Sequence, residues 1–205
     1  MNKDLKQAIQ REYLKCAQDP VHFMRKYCTI QHPKRGKVKF DLYPFQEKCL
    51  TEFKDNRYNI ILKARQLGIS TLSAGYSLWL MLFHNDKNIL VIATGKETAK
   101  NLVTKVRVMY DNLPQWLKTS TEEVNKLSFI DKVDEIWTAA QQTLATGGDC
   151  IVLSTPNGVG NWFHQQWIGA EDGTNKFSTI RLHWSDHPDR NQEWRDEQDK
   201  VLGPS

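Results

Sequence analysis

Apolar residues recur at helical spacing from residue 3 to residue 18, at Leu5, Ile9, Tyr13, Leu14 and Ala17, which predicts an amphipathic N-terminal helix. Asp19-Pro20 then caps and opens a second, shorter helix. KVKFDL (37–42) alternates like a strand, and YPFQEKCLTEFKDN (43–56) reads as a helix opened by Pro44. YNIILKA (58–64) is an apolar, β-branched run of the kind that forms a buried strand, and STLSAGYSLWLMLFH (70–84) follows as an apolar helix. KNILVIAT (87–94) predicts a strand, and 96–112 a helix with Leu102, Val103, Val106 and Met109 on one stripe. CIVLST (150–155) is a further strand ending at PNG, followed by the helix GNWFHQQWIG and the strand KFSTIRLHW (176–184). The charged tail from 190 to 201 is expected to be helical.

Strands alternating with helices through short loops predict an α/β domain whose mostly parallel sheet is covered on both faces. Ligands bind such sheets at the carboxyl ends of the strands. KARQLG, TGKET and STPNG all follow predicted strands, so all three are expected on one rim.

Composition narrows the class without fixing it. The chain has 205 residues, 40% hydrophobic and 25% charged, which suits one good-sized soluble domain. The longest apolar run, Leu78–Phe83, is too short to span a bilayer, and MNKDLKQAIQ does not resemble a signal peptide. Cys16, Cys28, Cys49 and Cys150 form no C-x-x-C pair, which fits a reducing, intracellular compartment and argues against a zinc site. The net charge of +4 is a mild pointer to a polyanionic partner. HPKRGKVK (32–39) reads as a solvated strand edge first and a phosphate contact second.

The sharpest chemistry lies in ILKARQLGIST (61–71). Set against G-x-x-x-x-G-K-[ST], it keeps Gly68 and Ser70 but has Lys63 for the first glycine and Ile69 for the lysine. A strand, a glycine turn and a helix start form the context of a phosphate loop, because backbone N–H groups of 66–70 can face an anion there. Ser70 or Thr71 can offer a hydroxyl to Mg²⁺, and Lys63 or Arg65 can supply the cation. An ordinary strand-to-helix turn carrying two incidental basic residues is the competing reading. Phe45 and Gln46, within YPFQ, could stack on and read an adenine, or could simply belong to core and surface.

In order along the chain, YPFQ, ARQLGIST, VIATGKETAKNL and STPNG resemble the ATPase domain of the terminase large subunit, the DNA-packaging motor of tailed bacteriophages. The resemblance covers about residues 37–185. It implies a P-loop NTPase sheet of the additional-strand type that binds ATP and Mg²⁺. By this resemblance Gln46 recognises adenine beside Phe45, and Lys63, Ala64, Arg65, Gln66, Leu67, Gly68, Ile69, Ser70 and Thr71 form a deviant phosphate loop. Lys63 becomes the phosphate lysine, Arg65 a finger toward the γ-phosphate, and Ser70 a ligand to Mg²⁺ with the nucleotide. Ser154, Thr155 and Asn157 resemble the motif that couples nucleotide state to DNA grip. The implied partners are double-stranded DNA held through its phosphates, a portal protein, a terminase small subunit and further copies of the chain, with no membrane. The implied location is the host cytoplasm, at the procapsid portal.

Two departures shape the expectation. The family has an apolar strand ending in Asp-Glu between the helix after TGKET and the STPNG strand. Its aspartate holds Mg²⁺ through water and its glutamate activates the attacking water. Here LSFIDK (127–132) has Lys132 in the glutamate's place, and Asp134 and Glu135 fall in a stretch of helical spacing (131–142). FID instead matches the family's segment after that pair, so the chain reads as internally shortened near 128 and its hydrolysis as impaired. The second departure is that the family's sequences continue into a metal-dependent nuclease domain, whereas this one stops at VLGPS with no acidic constellation beyond it, so no nuclease activity is expected. His183 and His187 read as a surface turn, not as metal ligands.

The expected division is a helical segment at 1–36, the ATPase domain at 37–189 and a charged helical tail at 190–205. The rivals are a helicase-like translocase and a non-catalytic packaging or scaffold-binding protein that keeps only the fold.

Overall fold

The computed structural model describes residues 3–32, 35–84, 90–92, 96–118, 128–130, 144, 148–155 and 158–202. The chain forms two compact units, each built from separated stretches: 1–42 with 69–149, and 43–68 with 150–205.

The first unit is mainly helical. Helix α1 (Lys3–Gln18) and helix α2 (Pro20–Tyr27) are separated by Asp19, whose carboxylate accepts from the Val21 N–H at 2.8 Å. A two-stranded antiparallel hairpin follows, β1 (Thr29–His32) with β2 (Gly36–Lys39). The strand expected over 37–42 thus ends at Lys39. The alternation itself runs on, with Phe40 and Leu42 buried and Lys39 and Asp41 exposed, while the pairing with β1 stops at Lys39. The basic segment is a hairpin edge, as its pattern suggested.

Helix α4 (Ile69–Phe83) is the core of this unit, with ten of its fifteen residues buried, as an all-round apolar helix requires. Trp79 anchors it: the indole N–H donates to the Cys16 carbonyl at 2.7 Å. Phe83 meets Phe23 edge-to-face with centroids 5.4 Å apart. Helix α5 (Lys96–Asp111) packs on α4 and buries Val106 and Met109 from its predicted stripe.

Two short parallel strands complete the unit, β4 (Leu90–Ile92) and β5 (Ser128–Ile130). The sequence reading placed no strand at 128–130. A strand does stand there, three residues long, too short for any alternation to show. Asp131, Lys132, Asp134, Glu135 and the helix read over 131–142 lie outside the described residues.

The second unit holds a three-stranded parallel sheet. Its central strand β3 (Tyr58–Lys63) pairs on one side with β6 (Cys150–Ser154) and on the other with β7 (Ser178–Leu182). Ile60 and Ile61 are fully buried in it, which accounts for the continuous apolar run. Helix α3 (Pro44–Asp55) packs on β3, and helix α6 (Trp162–Glu171) on β7. Helix α7 (Gln192–Leu202) ends the unit.

Candidate functional site

Parallel register brings three strand ends to one edge. Leu62 stands opposite Ser154 and Lys63 opposite Leu182, and the Ala64 N–H extends the ladder to the Leu182 carbonyl at 3.0 Å. Lys63, Ser154 and Thr155 therefore share the rim expected of KARQLG and STPNG. Asn157 and the first two residues of TGKET lie outside the described residues. Ser154 Oγ donates to the Thr155 carbonyl at 2.8 Å, and both residues are half-buried.

From this rim the backbone enters a turn at Ala64–Gly68 and leaves it into α4, where Ile69 is buried and Ser70 and Thr71 are half-buried in the first helical turn. Two turn residues take left-handed conformations, Gln66 at φ 60 and Gly68 at φ 73. Glycine at 68 has a second cause besides its φ. A Cβ there would lie 2.7 Å from Gln46 Nε2, closer than any side chain tolerates.

Gln46 sits under the turn and is only 2% exposed. Its Oε1 accepts from the Tyr43 N–H at 3.1 Å, capping α3, and its Nε2 donates to the Leu67 carbonyl at 3.0 Å. One amide proton and one oxygen lone pair are then left for anything else. Phe45 is buried and stacks on Tyr43 with centroids 5.8 Å apart and planes 8° apart. Tyr43 is half-buried and also meets the His187 ring at 4.5 Å.

The charges round the turn are all of one sign. Lys63 is half-buried; burial, and then the neighbouring Arg65, push its pKa below the usual 10.5. Arg65 is exposed. Arg190, from the segment after β7, reaches the turn and lays its guanidinium over the Trp194 ring at 4.4 Å. Among the described residues none of these three cations has an acidic partner; Asp189 turns instead toward His187 at 4.0 Å. Such a set suits a polyphosphate. Turn amides at the exposed Gln66 and Gly68, with cations that no described acid balances, are the donors that phosphate oxygens need.

Tyr43 and Arg190 escaped the sequence reading, which placed His187 only in a surface turn. Tyr43 was hidden beside the more conspicuous Phe45. Arg190 is 124 residues from Gln66, and nothing local marks it as a turn contact. His183 does form a surface turn: its Nδ1 meets Ser185 Oγ at 2.8 Å and its backbone N–H donates to Asp186 at 2.7 Å.

No family model matches the chain. Among solved structures, the crystal structure of the HK97 bacteriophage large terminase superposes with a TM-score of 0.59 over 91% of this chain, at 14% identity. The chain has a terminase-large-subunit-like α/β fold, and it spans 48% of that protein's length. No helix among the described residues is long and apolar enough to cross a membrane.

Proposed function

We propose that this chain is the ATP-binding part of a motor that packages double-stranded DNA into a phage procapsid. The observation that carries the reading is the turn after β3: exposed at Arg65, Gln66 and Gly68, left-handed at two positions, ringed by Lys63, Arg65 and Arg190, and without a balancing acid among the described residues. The likeness to a phage large terminase supports the wider role.

In this reading the amides of 66–68 and the side chains of Lys63 and Arg65 hold the phosphates. The helix start at Ile69, Ser70 and Thr71 follows directly in the chain, and the Ser70 hydroxyl serves Mg²⁺. The base lies toward the Tyr43–Phe45 stack, with Gln46 offering its uncommitted amide proton. Ser154, Thr155 and Asn157 relay nucleotide state from the neighbouring strand. Bound Mg-ATP supplies the phosphoanhydride that drives the motor. The family's Asp-Glu pair has no counterpart in the sequence, which reads as shortened near 128, so binding outlasts hydrolysis in this chain. DNA is gripped through its phosphates without sequence preference, in an assembly with portal protein, small subunit and further copies in the host cytoplasm.

Thermal melting tests the site. Mg-ATP at a hundred times its Kd stabilises a one-site binder by about 2.7 kcal/mol. Lys63→Ala and Arg65→Ala are each expected to remove that shift, and an unshifted wild type would overturn the assignment of the turn. Steady-state turnover with and without DNA tests the rest. Turnover well above background in the isolated chain would refute impaired hydrolysis.

A further inference from the structure

Three consecutive carbonyls of the turn are held by side chains from elsewhere in its own unit. Arg190 Nη1 donates to the Arg65 carbonyl at 3.1 Å and Nη2 to the Gln66 carbonyl at 3.0 Å. Gln46 Nε2 donates to the third, Leu67, at 3.0 Å. In a planar trans peptide the carbonyl of one residue and the N–H of the next point in opposite directions. The N–H groups of Gln66, Leu67 and Gly68 therefore face away from the guanidinium and the amide. None of the three donates to another described residue.

From this arrangement we propose that Arg190 is a positioning residue for the phosphate turn: its guanidinium fork holds two carbonyls back so that the turn amides on the opposite side, those of the exposed Gln66 and Gly68, meet an anion. The proposal rests on the reading of the turn as a phosphate site.

Residue type matters here for a geometric reason. A guanidinium offers two N–H groups in one rigid plane, and two adjacent carbonyls need both. The Trp194 ring lies beneath that plane, and Trp194 is itself seated at the start of α7, where its N–H donates to Asn191 Oδ1 at 2.9 Å. With no acid paired to it among the described residues, the guanidinium serves the carbonyls. The charged tail thus has a task at the rim that its composition does not suggest.

Calorimetric titration of the whole chain with Mg-ATP tests this, using wild type, Arg190→Ala, Arg190→Lys, and Arg190→Ala supplemented with millimolar guanidinium. Melting curves confirm that each variant is folded. Arg190→Ala should bind at least about tenfold more weakly. Arg190→Lys should be nearly as weak, since one ammonium cannot reproduce the fork. Free guanidinium should restore part of the loss, which general destabilisation would not allow. Binding by Arg190→Ala within twofold of wild type overturns the proposal, as does full recovery with lysine, which would reduce the role to charge. If Arg190→Ala does not fold, the lysine variant decides alone, by weakness or by full recovery. Loss in Lys63→Ala with none in Arg190→Ala leaves the phosphate reading standing and removes only the brace. A folded wild type that takes up no Mg-ATP ends both.

Discussion

Glu12 and Lys63 stand at the centres of two polar clusters with opposite charge balance. Around Glu12, in the first unit, one carboxylate oxygen meets His22 Nε2 at 2.7 Å, Lys26 Nζ at 2.8 Å and the Tyr27 hydroxyl at 3.0 Å. The Lys26 and His22 contacts hold the Glu12 pKa down at about 2, and Glu12 in turn raises that of Lys26. Around Lys63, in the second unit, cations gather without a described acid and the lysine pKa falls. The first cluster is complete: it ties α1 to α2, and Lys26 supplies the positive charge beside Glu12, Cys16 and His22 that a metal would otherwise bring. The second cluster holds no acid of its own among the described residues. Counting basic residues along the chain could not separate the two; the position of one carboxylate does.

Substitutions can break or sharpen that contrast, and Gly68→Val should act most strongly. It forces a β-branched residue into φ 73 and a Cβ against Gln46, costing about 3 kcal/mol in urea unfolding and abolishing Mg-ATP binding without touching any charge. Glu12→Gln should come next, at about 1–2 kcal/mol at pH 7, because it discharges the completed cluster. The sign follows from the depressed carboxyl. Its stabilisation is present above the ordinary value of 4.5 and is lost as pH falls toward about 2, so wild type and variant should converge over that window. A constant gap across it would show that Glu12 acts by packing.

Lys63→Met should have the smallest effect on stability and the opposite sign. Removing a half-buried cation with no acidic partner among the described residues should raise apo stability by about 0.5–1 kcal/mol while erasing the Mg-ATP shift. Folding lowers this lysine's pKa, so below 10.5 the unfolded chain holds the proton more tightly and wild-type stability rises with pH. The advantage of methionine should therefore shrink toward alkaline pH. The matched Lys26→Met should lower stability at neutral pH. If both substitutions moved Tm the same way, the distinction between the two clusters would collapse.

Much of the fold was legible because it is written in local periods. The 3.6-residue stripes of α1 and α5, the proline starts of α2 and α3, and the β-branched run of β3 each declare themselves within a dozen residues. Strands β1 and β5, four and three residues long, declare nothing, because two or three alternations cannot be told from chance. In the candidate site, Gly68 and the two loop cations were visible as a motif. The burial of Gln46 beneath the turn was not, since exposure depends on what packs against a residue.

The sequence by itself determined the order of the helices and of every strand but β1 and β5, the parallel pairing expected of that order, and the place of a glycine turn after the central strand. These follow from periodicity and from the few residue types that permit a left-handed turn. Only the tertiary structure decided that residues 43–68 and 150–205 form one unit, that Arg190 and Gln46 meet the same turn, and that no described acid balances its charge. Those outcomes depend on contacts between residues distant in the chain, 21 positions for Gln46 with Leu67 and 124 for Arg190 with Gln66, or on one side chain's burial. Chain folding sets them, and no local pattern encodes them.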